Sequence, residues 1–214
     1  MARGNSKASS EYSKADRGDD KAYNPGNFRR VVEANAADRE AGRRQEMDAS
    51  AYERLRAQAR SGTLTGNKLR EVMDLTFGFI ALKQQDAYRI AEEVHKGQTR
   101  RDGKPYITHV RAVADQVNGE AKVVAWLHDA MEDGGVTAKD LREQNFPERI
   151  IEAVEALTKA PDSKLTYLQY IEKQVKPNEL ARQVKLADLR DNMKDNDNPE
   201  QLKRYRKAYD ILAG

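Results

Sequence analysis

The sequence predicts an all-α fold, a helical bundle, on three observations. From residue 65 onward the apolar side chains recur at intervals of three and four, which lines one face of a helix. Recognisable helix starts and stops separate these stretches. No segment shows the strict alternation of a half-buried strand, and there is no internal repeat.

Residues 1–64 are expected to be a disordered, mildly basic tail. Residues 1–47 are rich in Ser, Gly, Ala, Asp and Arg, and Phe28, Val31 and Val32 are almost their only large apolar side chains. That is too little buried surface to offset chain entropy. Asp48 to Arg56 can still form a short helix with Asp48 or Ser50 as N-cap. Residues 65–84 read as a helical adaptor, with Leu69, Val72, Met73, Phe77 and Ile80 on one face. The domain proper is expected over 85–214. Ala87, Ile90, Ala91 and Val94 form its first stripe, which stops at His95-Lys96-Gly97. A polar loop runs to Tyr106, and the next helix starts near His109 with Thr108 as N-cap. Ala121 to Met131 reads as one continuous central helix. Thr137-Ala138-Lys139-Asp140 is a capping box with Asp in the Glu position, and Pro147 opens a helix carrying Ile150, Ile151, Val154 and Leu157. Leu165 to Val175 and Leu180 to Met193 are two more helices. Asn198-Pro199 caps a last one running to Leu212.

Composition narrows the function. The 214 residues contain no cysteine, which removes disulfides, thiolate metal sites and a cysteine nucleophile. No apolar run reaches the ~18 residues of a membrane span, and the N-terminus lacks the apolar core of a secretory signal. The expectation is a soluble, cytoplasmic protein. Residues 1–64 hold 13 Lys/Arg and 10 Asp/Glu, the whole of the formal net charge of +3, which leaves 25 of each in residues 65–214. A neutral domain lacks the basic footprint of nucleic-acid binding, so nucleic acid is an unlikely partner. Nothing here bears on oligomeric state.

Chemistry concentrates in His128-Asp129-Ala130-Met131-Glu132-Asp133, which follows the apolar run Val123 to Leu127. A buried helix does not ordinarily end in an imidazole and three carboxylates, because each ionised carboxylate needs a partner or a metal. The bland reading is a helix that frays into a solvated turn at Gly134-Gly135. Two other places weigh against it. His109 begins a helix after a loop, and Asp188 is carried inward by an apolar helix with Asn192 one turn later. His109, His128, Asp129 and Asp188 together form a set of two imidazoles and two carboxylates. Such sulfur-free ligands suit Mn²⁺, Fe²⁺, Mg²⁺ or Zn²⁺. Lys96, Arg100, Arg101 and Lys104 next to it suit a phosphorylated substrate. His95 reads as a structural residue at a helix end, and Lys203, Arg204, Arg206 and Lys207 as the wet face of the last helix.

These residues resemble the HD-domain hydrolases of the RelA/SpoT family, and most of all the small stand-alone forms without a synthetase domain. The resemblance runs from about Asp86 to Asp195 and rests on four ordered motifs. The first is His95-Lys96-Gly97-Gln98 with Arg100 to His109, and the second is Leu127 to Asp133. The third is Leu157-Thr158-Lys159, and the fourth is Lys185-Leu186-Ala187-Asp188 with Asn192-Met193. The resemblance implies an HD-domain helical bundle in which His109, His128, Asp129 and Asp188 hold one Mn²⁺. It implies catalytic roles for Glu132 and Asp133, which position and deprotonate the attacking water, and substrate contacts for Arg100, Arg101 and Asn192. It implies structural roles for Tyr106 and Thr158. The implied reaction is hydrolysis of the nucleotide ppGpp or pppGpp to GDP or GTP plus pyrophosphate. The alternative is another 3′-phosphorylated or cyclic nucleotide, and a rival from another class is an idle nucleotide-binding module. The fourth motif commonly reads Asp-Arg-Leu-His-Asn, whereas here Asp191 stands in place of the imidazole. It adds a negative charge near a polyanion site if it points inward, which bears on substrate choice.

Overall fold

The computed structural model describes residues 47–194 and 196–214; residues 1–46 of the expected tail, 1–64, lie outside them. Ten α-helices occur among the described residues. They are α1 (Ala49–Arg60), α2 (Gly66–Val94), α3 (Ile107–Ala114), α4 (Gly119–Leu127), α5 (Ala130–Gly134), α6 (Ala138–Glu143), α7 (Glu148–Leu157), α8 (Tyr167–Tyr170), α9 (Glu179–Lys194) and α10 (Pro199–Ala213). A π-helical turn, Ile171–Val175, continues α8. The fold is all-α, as the apolar spacing predicts.

Helix α4 is the hub. Val123, Val124, Ala125 and Leu127 are fully buried and Trp126 nearly so, so the helix has no wet face and must be enclosed. It packs on α2, α3, α7 and α9, and its C-terminal end therefore opens inside the bundle. The predicted caps account for much of the rest. Asp48 accepts from the amides of Ser50 and Ala51 at the start of α1, Thr137 and Asp140 form the capping box of α6, and Asn198 caps α10 with Pro199 behind it.

Five expectations are corrected. The short helix that the sequence allows over Asp48 to Arg56, inside the expected tail 1–64, runs on to Arg60 as α1. It is packed, because Tyr52 stacks on Phe79 with ring centroids 4.7 Å apart and donates to Glu120 Oε1 at 2.7 Å. One buried aromatic gives this short helix an anchor that its composition does not advertise. The boundary between the adaptor and the domain at 84/85 falls inside α2, whose buried face is Val72, Phe79, Ile80, Ala87 and Ile90; of the face expected for the adaptor, Met73 and Phe77 are exposed, and Phe79 packs inward instead. Helix α3 starts at Ile107, and Thr108 bonds the Pro105 carbonyl instead of capping. Helix α8 starts at Tyr167, because Thr166 forms a capping box with Gln169. The continuous helix from Ala121 to Met131 breaks at His128-Asp129. There His128 Nδ1 lies 2.7 Å from the Ala125 carbonyl, the oxygen that a continuing helix would offer to residue 129. A side chain inserted into that ladder ends the helix, and Asp129 leaves with φ −106° and ψ 0°.

Polar groups also tie the bundle together. Lys83 is fully buried; it donates to Asp86 Oδ2 at 3.2 Å and to the Gln144 carbonyl at 2.8 Å, which links α2 to the end of α6. The neighbouring Asn145, at φ 59°, donates to the Met47 carbonyl and accepts from the Ala49 amide, so it clasps the entry to α1. Short helix α5 leans on α2 through Gly134, where an added Cβ would lie 2.6 Å from both methyls of Val94. Gly134→Ala should therefore cost about 1–3 kcal/mol by overpacking. Urea unfolding should show the loss and its partial recovery in the Gly134→Ala/Val94→Ala double variant.

Candidate active site

Four pieces of chain converge at the open end of α4. The loop after α2 supplies Arg100 and Tyr106, α3 supplies His109, the α4–α5 break supplies His128 and Asp129, and α9 supplies Asp188, Asp191 and Asn192. The last three share a helix face because they are three and four residues apart. The loop is held tightly: the Arg100 amide donates to the Lys104 carbonyl at 2.7 Å and the Gly103 amide to the Arg100 carbonyl at 2.9 Å. Gly103 takes φ 81°, a backbone conformation that favours glycine.

The two imidazoles have different environments. A carbonyl only accepts, so the bond to Ala125 puts a proton on His128 Nδ1, and in the neutral imidazole the lone pair is then on Nε2. That Nε2 is buried without a hydrogen-bond partner and lies 3.1 Å from Asp129 Oδ2. The same carboxylate oxygen accepts from the Tyr106 hydroxyl. A lone pair aimed at a carboxylate oxygen is repulsive, and a cation between the two reverses the sign. His109 has a carboxylate at each nitrogen, Asp188 Oδ1 at 3.2 Å from Nε2 and Asp191 Oδ2 at 2.7 Å from Nδ1. Burial opposes the charge on this imidazole, but the bonds to Asp188 and Asp191 outweigh it and raise its pKa to about 9.

The carboxylates of α9 are matched by cations. Burial pushes the Asp188 carboxyl up, but Lys185, with its Nζ 2.8 Å from Oδ2, and His109 hold it well below the usual range. Asn192 donates to the other oxygen of Asp188. Asp191 points inward and is 5% exposed. Its pKa is lowered because His109, Arg100 at 3.0 Å and Lys194 at 3.4 Å outweigh burial.

Of the ligands read from the sequence, His109, His128 and Asp129 offer atoms all within 4.8 Å of one another, the one such group among the described residues. Asp188 stands beside the triad with both oxygens engaged. This nitrogen and oxygen set, with the buried Nε2 of His128 at its centre, fits a divalent cation. Glu132 is exposed one turn beyond His128, and its Oε1 accepts from the Lys159 amide at 3.1 Å. Asp133 is half-buried on the same short helix. Arg100 faces the site through Asp191, whereas Arg101 is half exposed, 3.9 Å from Asp197. His95 bonds Gln98 at 2.8 Å and Thr158 Oγ1 bonds the Val154 carbonyl at 2.9 Å, the structural roles that the sequence suggests. The contact of Asp191 with His109 was not foreseen; its only signal is the spacing of three from Asp188.

The site therefore defines an all-α domain with a buried imidazole–carboxylate cluster of metal-binding character and a cationic rim. Matches to curated proteins bear out the RelA/SpoT-type resemblance. Over 112 residues, half of the chain, it is 37% identical to the bifunctional (p)ppGpp synthase/hydrolase SpoT of Escherichia coli K12. Over 116 residues it is 35% identical to a guanosine-3′,5′-bis(diphosphate) 3′-pyrophosphohydrolase of Vibrio cholerae. It is 39% identical over 80 residues, 35% of the chain, to the enzyme of that name from Aquifex aeolicus. The matches span 15%, 15% and 11% of these much longer relatives. No family model matches the chain.

The raised pKa of His109 gives two opposed pH dependences. The metal-free fold gains stability from the protonated imidazole that is fully present below pH 6.5 and is lost as pH rises through about 9. A cation must displace that proton, so its affinity should rise over the same range and level off above it. Urea unfolding with chelator and calorimetric Mn²⁺ titration, both from pH 6 to 10, should show the opposite slopes.

Proposed function

We propose that the chain is a manganese-dependent guanosine-3′,5′-bis(diphosphate) 3′-pyrophosphohydrolase that converts ppGpp or pppGpp to GDP or GTP plus pyrophosphate. The observation that carries this reading is the His109–His128–Asp129 triad, in a chain 37% identical over half its length to a (p)ppGpp hydrolase. Mn²⁺ held by His109, His128 and Asp129, with Asp188 beside them, would supply the Lewis acidity that acidifies water and offsets developing phosphate charge.

The chain's own residues do the rest. The Lys159 amide fixes the Glu132 carboxylate at the solvent-facing mouth, where it can orient the entering water and take its proton, with Asp133 as its partner base. Water attacks the phosphorus on the ribose 3′-oxygen. Pyrophosphate leaves carrying the water oxygen, and the 3′-oxygen regains a proton. Arg100 is anchored by Asp191 and takes the guanine face, where a planar guanidinium stacks well. Arg101 and Lys104 form an exposed cationic rim for the phosphates, and Asn192 takes the sugar. The charge of Asp191 is matched by His109, Arg100 and Lys194, so it does not repel a highly anionic bis(diphosphate). The same reading places the protein in the cytoplasm. Among the described residues no helix is long and apolar enough to cross a membrane.

Purified protein given ppGpp and Mn²⁺ should release GDP and pyrophosphate in equal amounts, and chelator should stop it. Glu132→Ala should lose about 10²- to 10⁴-fold in kcat, and His128→Ala should lose activity together with metal. Arg100→Ala should act mainly on KM. If Mn²⁺ binds and ppGpp remains intact, the substrate assignment falls while the metal site stands.

A further inference from the structure

We propose that Asp191 is a positioning residue for the metal site. It holds His109 with Nδ1 protonated and so directs Nε2 to the cation. This inference rests on the metal reading of the triad, and it concerns a residue that departs from the usual form of the fourth motif. His109 has a carboxylate at each ring nitrogen, and only one nitrogen can serve as ligand. Nε2 faces Asp188 at 3.2 Å, whereas Nδ1 lies 2.7 Å from Asp191 Oδ2. A carboxylate without a proton only accepts, and the contact at Nδ1 is the shorter by 0.5 Å, so the proton is held more firmly on Nδ1 and Nε2 is the nitrogen left for a metal.

Asp191 is suited to the task. It is buried, and its Oδ2 also accepts from Arg100 at 3.0 Å. A single oxygen thus sets the position of both a ligand imidazole and a rim guanidinium. Oδ1 lies 3.4 Å from Lys194 Nζ, so both oxygens of the carboxylate have a cationic partner. An imidazole in its place could accept from Nδ1 only in one tautomer and without a formal charge. The carboxylate fixes the ring and makes Nε2 more basic, and losing such a partner costs about 10- to 100-fold in metal affinity.

Two measurements on the full chain test this. In the first, the histidine side chains are labelled with ¹⁵N and the wild-type protein is titrated with Zn²⁺, a diamagnetic probe, by NMR. Only three histidines need assignment. The expected result is a metal shift at His109 Nε2 with a retained Nδ1 proton, and a metal shift at Nδ1 would overturn the inference. In the second, Mn²⁺ affinity is read by electron paramagnetic resonance. Asp191→Asn should weaken it at least tenfold. Asp197→Asn removes the same charge from a side chain 96% exposed and should leave affinity within twofold. Equal affinity in wild type and Asp191→Asn would overturn the inference and leave the metal site standing. If wild type takes up no cation, the metal reading and this inference fall together. Should Asp191→Asn fail to fold by near-ultraviolet circular dichroism, the wild-type NMR titration decides alone.

Discussion

The hydrogen bond between His128 Nδ1 and the Ala125 carbonyl sets the geometry of the site. It uses the acceptor that the next turn of α4 would need, so the helix stops and Asp129 turns away from its axis. It also fixes the tautomer of His128, so that the buried Nε2 presents a lone pair beside Asp129. A mobile helix end could relieve that repulsion by moving apart. This one is confined, because Val123 to Leu127 of α4 are buried among α2, α3, α7 and α9.

The charges around this point have a consistent logic. Three carboxylates, Asp129, Asp188 and Asp191, crowd the end of one buried helix, where ionised groups are costly without partners. Asp188 is matched by Lys185 and Asp191 by Arg100 and Lys194, each within 3.4 Å. Asp129 takes a neutral donor, Tyr106, and faces the unprotonated nitrogen of His128. Lys185, Arg100, Lys194 and His109 thus balance the carboxylates of α9, and His128 and Asp129 lie beside this paired wall. The pairing fixes the side chains around the triad.

What could be read from the sequence was what repeats or what is chemically rare. The all-α class, the capping box at Thr137 and the cap at Asn198 follow from periodicity and from residue types with one main use. Three histidines in 214 residues made His109 and His128 conspicuous. The end of α4 at Leu127 was not legible, because apolar spacing continues through Ala130 and Met131 and says nothing of a side chain capturing a carbonyl. Lys83 and Asp86 escaped notice for a related reason. Patterning assigns charged residues to water, whereas here they satisfy one another and the Gln144 carbonyl inside the core. Asp191 looked like an intrusion of negative charge because its partners, Arg100 and His109, lie 91 and 82 residues away.

The cap of α1 is legible at Asp48 but its anchor on the bundle is not, and its position ties it to the site. Glu120 lies in the first turn of α4, where a carboxylate favours the helix dipole. It accepts from Tyr52 at 2.7 Å, pairs with Arg56 Nε at 3.2 Å and receives Arg149 from α7. Helix α4 is thus clamped at its start by α1 and α7, and its other end carries His128 and Asp129. Helix α1 thus braces the start of the helix whose other end carries two residues of the imidazole–carboxylate cluster.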